Sequence, residues 1–312
     1  MSQLPTVKQL RYFIALEQHS HFGQAAAACF VSQSAFSVAI RELETLLGVQ
    51  LVDRTNRQVT MTPVGRKVAI QARRCLQDIE QLVEMAGAER EPLSGVLTLG
   101  VIPTVAPFLL PKILPAVRQQ YPALKLYIRE RQTDMLHAEL LEGKLDLMLL
   151  ALPYELRQVE IMPLFRDLFF LAYRDGTQLI DPERFSVNEI RAACILLLED
   201  GHCLRDHALA ACQLRHQEVV QRFAASSLFT LLEMVGSDLG ITFVSEMAVG
   251  SALLQQTHIK TRPLDRSSYR EIGLAWHKGT ARSAEFRALG DLIKTVWQGR
   301  VVNPCSKGDC LL

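Results

Sequence analysis

No apolar run in this 312-residue chain approaches the roughly 20 residues that a helix needs to cross a bilayer. The first 15 residues carry Lys8 and Arg11 but no unbroken apolar core, so neither a signal peptide nor a membrane partner is expected. Net charge is almost absent: 34 Lys and Arg stand against 33 Asp and Glu, for +1. Cysteines are few and unpatterned. The seven (Cys29, Cys75, Cys194, Cys203, Cys212, Cys305 and Cys310) are odd in number and lack zinc-like spacing, which argues against a disulfide scaffold and a structural metal. What remains is a globular chain, 49% hydrophobic and long enough for two or three domains. The expected location is the cytoplasm, which keeps thiols reduced. No cofactor is expected.

The near-neutral total hides an asymmetry. Residues 1–74 hold nine basic side chains (8, 11, 41, 54, 57, 66, 67, 73, 74) against four acids, and six of the nine fall between Asp53 and Asp78 with no acid among them. A run of this kind is by itself most often a solvated face, but it is also the footprint that suits a polyanion.

VKQLRYFIALEQH (7–19) puts Leu10, Phe13, Ile14 and Leu16 on one helical stripe. After a break at Ser20 comes the Ala-rich FGQAAAACF, then VSQSAFSVAIRELETLLG. There Ser32 suits an N-cap, Val38, Ile40, Leu43, Leu46 and Leu47 supply the expected buried face, and Gly48 ends the helix. Two short helices joined tightly, the second opening with Ser, Gln and Ser, form a helix-turn-helix pattern whose second helix enters the DNA major groove. Ser32, Gln33, Ser34, Ser37 and Arg41 are the candidate DNA contacts. Two short β-like runs flanking Thr55 and Asn56 read as a wing, with Arg54 and Arg57 placed for phosphate or minor-groove contact.

From Pro63 to about Arg90, Val64, Val68, Gln71, Cys75, Ile79, Leu82 and Ala86 recur at spacings of four or three, a narrow seam that predicts pairing with a second helix and hence a dimer. The organisation expected is a winged helix-turn-helix at 1–62, a dimerisation linker helix at 63–90, a regulatory domain at 91–300 and a disordered tail at 301–312. In the regulatory part GVLTLGVI, LKLYIRE, LDLMLLAL, RDLFFLAY, CILLLED and LGITFV read as strands, with helical stretches between them, one opening at Pro103–Leu110. That alternation argues for α/β lobes with parallel sheets. The first lobe is placed at 96–166 with 266–300 and the second between them, with a site at their interface near strand ends.

HFGQAAAACFVSQSAFSVAIRELETLLGVQLVDRTNRQVTMTPVG resembles the N-terminal domain of LysR-type transcriptional regulators, and the resemblance runs through the whole chain. It implies an α/β protein with a winged helix-turn-helix, a linker helix and a two-lobed regulatory domain like periplasmic binding proteins. It also implies a double-stranded DNA operator, a homodimer or homotetramer, RNA polymerase as a partner, and no enzymatic turnover. Ser34 is a departure, because these proteins usually carry proline there.

CILLLED leads to a turn at Asp200 and Gly201, after which Cys203 falls in the first turn of the helix LRDHALAAC. Flanked by His202 and Arg205 at a helix N-terminus, its thiol is expected to favour the thiolate. Cys212, nine residues on, lies too far along a helix for a disulfide, roughly 13 Å against the 7 Å limit between Cα atoms. Its ordinary reading is a buried small hydrophobe. LEDGHCLRD with a second cysteine nine residues after the first, together with VIPTVAPFLLP, is similar to the hydrogen-peroxide-sensing branch of the LysR-type regulators. That similarity implies that Cys203 reacts with peroxide and Cys212 resolves it, and that Thr104, Thr133, His202, Asp206 and Arg270 surround the pocket. His207 is a second departure, standing where related sequences often have glutamine and offering a pH-sensitive charge. Cys29 and Cys75 read as core and seam residues, Cys194 as a buried strand residue, and Cys305 and Cys310 as part of the tail. The competing readings are a LysR-type regulator of a small organic effector and a thiol peroxidase. His202, Cys203 and His207 spread around a helix, so no metal site is expected.

Overall fold

The computed structural model describes residues 4–54, 59–86, 93–185, 195–211, 220–255 and 257–299. The chain divides into two compact units, Met1–Arg90 with Leu141–Lys144, and Glu91–Leu140 with Leu145–Leu312.

In the first unit, α1 (Val7–His19) opens on a reciprocal cap. The Thr6 hydroxyl accepts the Gln9 N–H while the Gln9 side chain accepts the Thr6 N–H. α2 (Phe22–Ala28) is capped by His21, whose Nδ1 accepts the N–H groups of Gly23 and Gln24 at 3.1 and 3.2 Å. α3 (Gln33–Leu47) starts at Ser32 and stops at Gly48, whose φ of +67° is left-handed. Phe13, Leu16, Phe36, Ile40 and Leu43 are wholly buried between these helices. The sequence pattern misassigns Val38, which is 48% exposed. Phe36, Ile40 and Leu43 follow the i, i+4, i+7 spacing of one face, and Val38, 200° around from Phe36, points outward. Tyr12 joins the core beside Phe13, while Leu10 is half-buried.

β1 (Val52–Arg54) and β2 (Val59–Met61) pair antiparallel as the wing. α4 (Pro63–Ala86) turns Ala69 and Ala72 to the core and leaves Val64 and Leu82 exposed. In a single chain the seam expected to pair is therefore open at those two positions.

The second unit runs β3 (Gly95–Val101), α5 (Ala106–Gln120), β4 (Leu124–Glu130), α6 (Thr133–Leu141), β5 (Leu147–Leu152) and β6 (Val159–Arg174). There follow β7 (Ile195–Leu198), α7 (Cys203–Ala211), β8 (Val220–Ala225), α8 (Leu228–Gly236) and β9 (Thr242–Ser245). It closes with α9 (Ala252–Gln255), β10 (Ile259–Pro263), β11 (Tyr269–His277) and α10 (Ser283–Trp297). The main sheet has the order β10-β6-β11-β5-β3-β4, with β9 also on β6, and β7 pairs with β8.

The expectation of parallel sheets holds only in part. β3 lies parallel to β4 and β5, and β7 to β8, but β11 returns late in the chain and inserts antiparallel between β5 and β6. The 16-residue β6 serves two hydrophobic cores. Met162 and Leu164 join the one built on Leu97, Leu147, Leu274 and Trp276, and Phe169 and Leu171 join the one built on Ile195, Leu231 and Phe243. The site lies along β6 and β11, between these cores.

Gly65 fixes how α4 meets the wing, because a Cβ there would lie 2.0 Å from the backbone oxygen of Leu51. Gly65→Ala is expected to lower the unfolding temperature of the N-terminal unit by several degrees, since a displaced backbone costs about 2 kcal/mol or more. Calorimetry on the variant checks this, and an unchanged transition would contradict the packing.

Candidate functional site

The four residues of β7, Ile195 to Leu198, are all buried, and the chain leaves the strand through Asp200 and Gly201. Gly201 has a φ of +93°, a conformation that residues with a side chain rarely adopt. The turn delivers Cys203 as the first residue of α7, 5% exposed and packed into the larger core.

Opposite it stands Arg270 on β11, 1% exposed and paired across the sheet with Asp167 of β6. Arg270 Nε donates to Asp167 Oδ2 at 2.9 Å. Its Nη1 donates to the Thr104 hydroxyl and its Nη2 to the Thr104 carbonyl, both at 2.9 Å. The other carboxylate oxygen of Asp167 accepts the Met247 N–H at 3.1 Å. A guanidinium and a carboxylate, both fully dry, are thus tied to two further stretches of chain, at Thr104 and Met247.

The electrostatics of the thiol correct the sequence-based expectation. Burial dominates and pushes the Cys203 thiol above its ordinary pKa. The Arg270 cation and the Thr133 hydroxyl pull it down, Asp206 pushes it up, the Ala151 N–H pulls it down, and the balance stays upward. Arg205 contributes less than its position suggested, because its guanidinium sits on Asp200 at 2.5 Å. Cys203 is therefore a protonated thiol at neutral pH.

Thr104, Thr133, Cys203 and Arg270 come together around one buried point, and His202 is buried just before α7. Thr133 begins α6; its hydroxyl is buried without a hydrogen bond of normal geometry, yet it lies near enough to the sulfur to favour the anion. Asp206 is on the exposed side of α7 and acts on the thiol only through its charge. Tyr154 donates to Asp134 Oδ1 at 2.5 Å; burial first, and that bond second, push its hydroxyl up.

His207 Nε2 lies 2.9 Å from the Pro153 carbonyl, which can only accept, so Nε2 carries the proton and Nδ1 keeps a lone pair. Nδ1 is buried and has no partner. Burial pushes the imidazole below the usual histidine range, against the pull of the Pro153 bond. It is neutral at pH 7, and the charge anticipated at this position is absent.

Cys212 lies outside the described residues. Nine helical residues place the Cα atoms of Cys203 and Ala211 about 12 Å apart; a disulfide requires about 7 Å or less. Cys194, Cys305 and Cys310 also lie outside the described residues, while Cys29 and Cys75 are half-buried free thiols.

In the first unit the N-terminus of α3 is exposed at Gln33 and Ser34. Ser32 accepts the Ala35 N–H at 3.3 Å and lies 3.1 Å from the Ser34 hydroxyl, and Arg41 donates to Ser37 at 3.5 Å. Ser34 takes the second helical position, where a proline would forfeit no intrahelical bond, so the exchange leaves the helix intact and adds a hydroxyl. Arg54 ends β1, and Arg57 lies outside the described residues. Among the described residues no three His, Cys, Asp or Glu side chains converge as metal ligands do.

Sequence reasoning missed Asp167 and the Met247 backbone. Asp167 left one signal, a lone acid between Arg166 and the apolar run LFFLA.

Comparison with known proteins finds the bacterial regulatory helix-turn-helix domain of the lysR family at residues 7–66 and the LysR substrate binding domain at residues 90–298. The chain is 37% identical over 293 residues to the DNA-binding transcriptional dual regulator OxyR of Escherichia coli K12, covering 94% of this chain and 96% of that one. It is 36% identical over 298 residues to the HTH-type transcriptional regulator EstR of Acinetobacter baylyi, covering 95% and 98%. Among solved structures it is similar to a full-length cysteine-to-aspartate variant of OxyR from Pseudomonas aeruginosa, with a TM-score of 0.76, 32% identity, and 93% and 98% coverage.

Two outcomes are expected of this geometry. Arg270→Met strands the dry Asp167 carboxylate and should destabilise the regulatory unit by about 3–5 kcal/mol. It should also slow alkylation of Cys203 at pH 8, because a stabilising cation is gone; unchanged stability and alkylation would contradict the pairing. Because the pKa of His207 is lowered by folding, the unfolded chain takes up its proton first as pH falls below about 6.5, and stability declines there. Melting curves from pH 7 to 5 should show a steeper loss in the wild type than in His207→Gln; parallel losses would contradict the burial.

Proposed function

The chain belongs to the LysR family of bacterial transcriptional regulators, and from that premise we propose that hydrogen peroxide switches it through a disulfide between Cys203 and Cys212. The observation that carries the proposal is the buried thiol at the start of α7, beside Arg270 and the unpartnered hydroxyl of Thr133. A dry pocket with one cation, an unsatisfied hydroxyl and a nucleophilic sulfur suits a small, neutral, polar oxidant. The similarity to OxyR supports the same reading.

In the proposed step the Cys203 sulfur attacks one oxygen of peroxide and the O–O bond breaks. The thiol becomes a sulfenic acid, and the departing hydroxide leaves as water with the thiol proton. Thr104 and Thr133 orient the peroxide, and Arg270 steadies charge on the sulfur and the leaving oxygen. The Cys212 thiol then displaces water from the sulfenic acid to give the disulfide. Since α7 excludes that bond, its formation unwinds the helix and shifts the surfaces that α7 supports. His202 lines the approach, and Asp206 sets the field at its rim.

The regulator acts in the cytoplasm as a homodimer or homotetramer on an operator of two half-sites, read by Ser32, Gln33, Ser34, Ser37 and Arg41 with Arg54 and Arg57 on the wing. RNA polymerase is its partner in transcription. It reacts once per signal and waits, which sets it apart from a peroxidase. A second reading has one observation in its favour: EstR, not named for peroxide, is 36% identical across 98% of its length. A LysR regulator with a small organic effector between its lobes is therefore the alternative.

Differential alkylation and mass spectrometry, before and after one equivalent of peroxide, separate the two. A Cys203–Cys212 disulfide that is lost in Cys203→Ser is the expected result, and two free thiols would favour the effector reading. On the DNA side, Arg41→Ala should reduce the slope of log affinity against log salt by about one. An unchanged slope would remove Arg41 from the contact set.

A further inference from the structure

Cys203 and His207 stand four residues apart on α7, which places them on one face with Cβ atoms roughly 5–6 Å apart. The strand beneath them has a matching spacing. The Ala151 N–H reaches the Cys203 sulfur, and the Pro153 carbonyl, two residues on, accepts from His207 Nε2. Sulfur and imidazole, on one face of α7, thus both meet the backbone at the end of β5.

The imidazole is set up to accept a proton there. The Pro153 bond fixes its tautomer, and Nδ1 is buried, aprotic and unpartnered. A nucleophile, a base on the same face and a third group orienting that base form the arrangement that activates weak nucleophiles. Burial keeps the thiol protonated, so attack on peroxide needs a group to take that proton.

We propose that His207 is the general base of this thiol, a catalytic residue whose Nδ1 takes the Cys203 proton through the peroxide molecule bound between them. The inference rests on the peroxide reading above. The proton leaves sulfur for Nδ1 as the sulfur lone pair bonds to the near oxygen. The O–O bond breaks, and the far oxygen leaves as hydroxide and recovers the proton from Nδ1 as water. Sulfur is oxidised by two electrons, peroxide is reduced, and His207 returns to its neutral form. The charged groups that act on it are Arg270 on β11 and Asp206 on α7, and Cys203 shares its helix face.

The test is the rate of Cys203 oxidation by hydrogen peroxide in the full-length protein, by quenched-flow alkylation from pH 5 to 9, for wild type and His207→Gln. Glutamine keeps a donor for Pro153 but takes no proton, and an unchanged melting temperature at pH 8 verifies the fold. The wild-type rate should be nearly flat through neutral pH and fall only on the acid side of the ordinary histidine range, because burial lowers the His207 pKa. His207→Gln should be at least tenfold slower at pH 7, a modest general-base effect. Its rate should climb about tenfold per pH unit, as bare thiolate chemistry does. A variant that matches the wild type in rate and profile overturns the base role and leaves the peroxide reading standing. A wild-type Cys203 that peroxide does not oxidise overturns both.

Discussion

The site depends on one buried ion pair. Arg270 and Asp167 have no solvent contact, and moving two such charges out of water costs several kcal/mol each before anything is returned. Mutual attraction offsets that only because the remaining polar atoms are also engaged, through both oxygens of Thr104 and the N–H of Met247. The pair therefore has one arrangement available to it. It ties the start of α5, the middle of β6, the turn after β9 and β11 to a common point. Its net contribution to stability is small for its size, and its use is to fix a cation in a dry place.

The thiol is placed against that cation, and two effects of opposite sign compete at the sulfur. Burial favours the neutral thiol, and Arg270 with the Thr133 hydroxyl and the Ala151 N–H favours the anion. Burial prevails, so the resting sulfur is protected from adventitious electrophiles. On the proposed reading, an oxidant small enough to enter meets a nucleophile, a cation for the developing charge and an imidazole with a free lone pair. Selectivity on this account comes from access and from assembled partners rather than from a permanently ionised cysteine.

Local features were the most legible in the sequence. Ser32 and Gly48 bound α3 because capping and left-handed termination are decided by single residues. The order of strands and helices was readable for the same reason, as was the position of Cys203 just beyond a Gly turn. Features that depend on the third dimension were not. Val38 fell on the wrong face because a run rich in apolar residues fits more than one helical phase, and Phe36 settled it. The antiparallel entry of β11 between β5 and β6 is a long-range choice that no local pattern encodes. Asp167 went unseen since its partner lies 103 residues away, and Arg205 was overvalued since its pairing with Asp200 is invisible in a linear reading.

On the proposed switch, α7 and the Cys203–Cys212 bond do not coexist. Hydrogen exchange read by mass spectrometry on the peptide covering Cys203–Ala211 tests it directly, in the reduced protein and after stoichiometric peroxide. The account predicts protected amides in the reduced form and loss of that protection once the disulfide has formed. A disulfide formed with protection of α7 unchanged would contradict it.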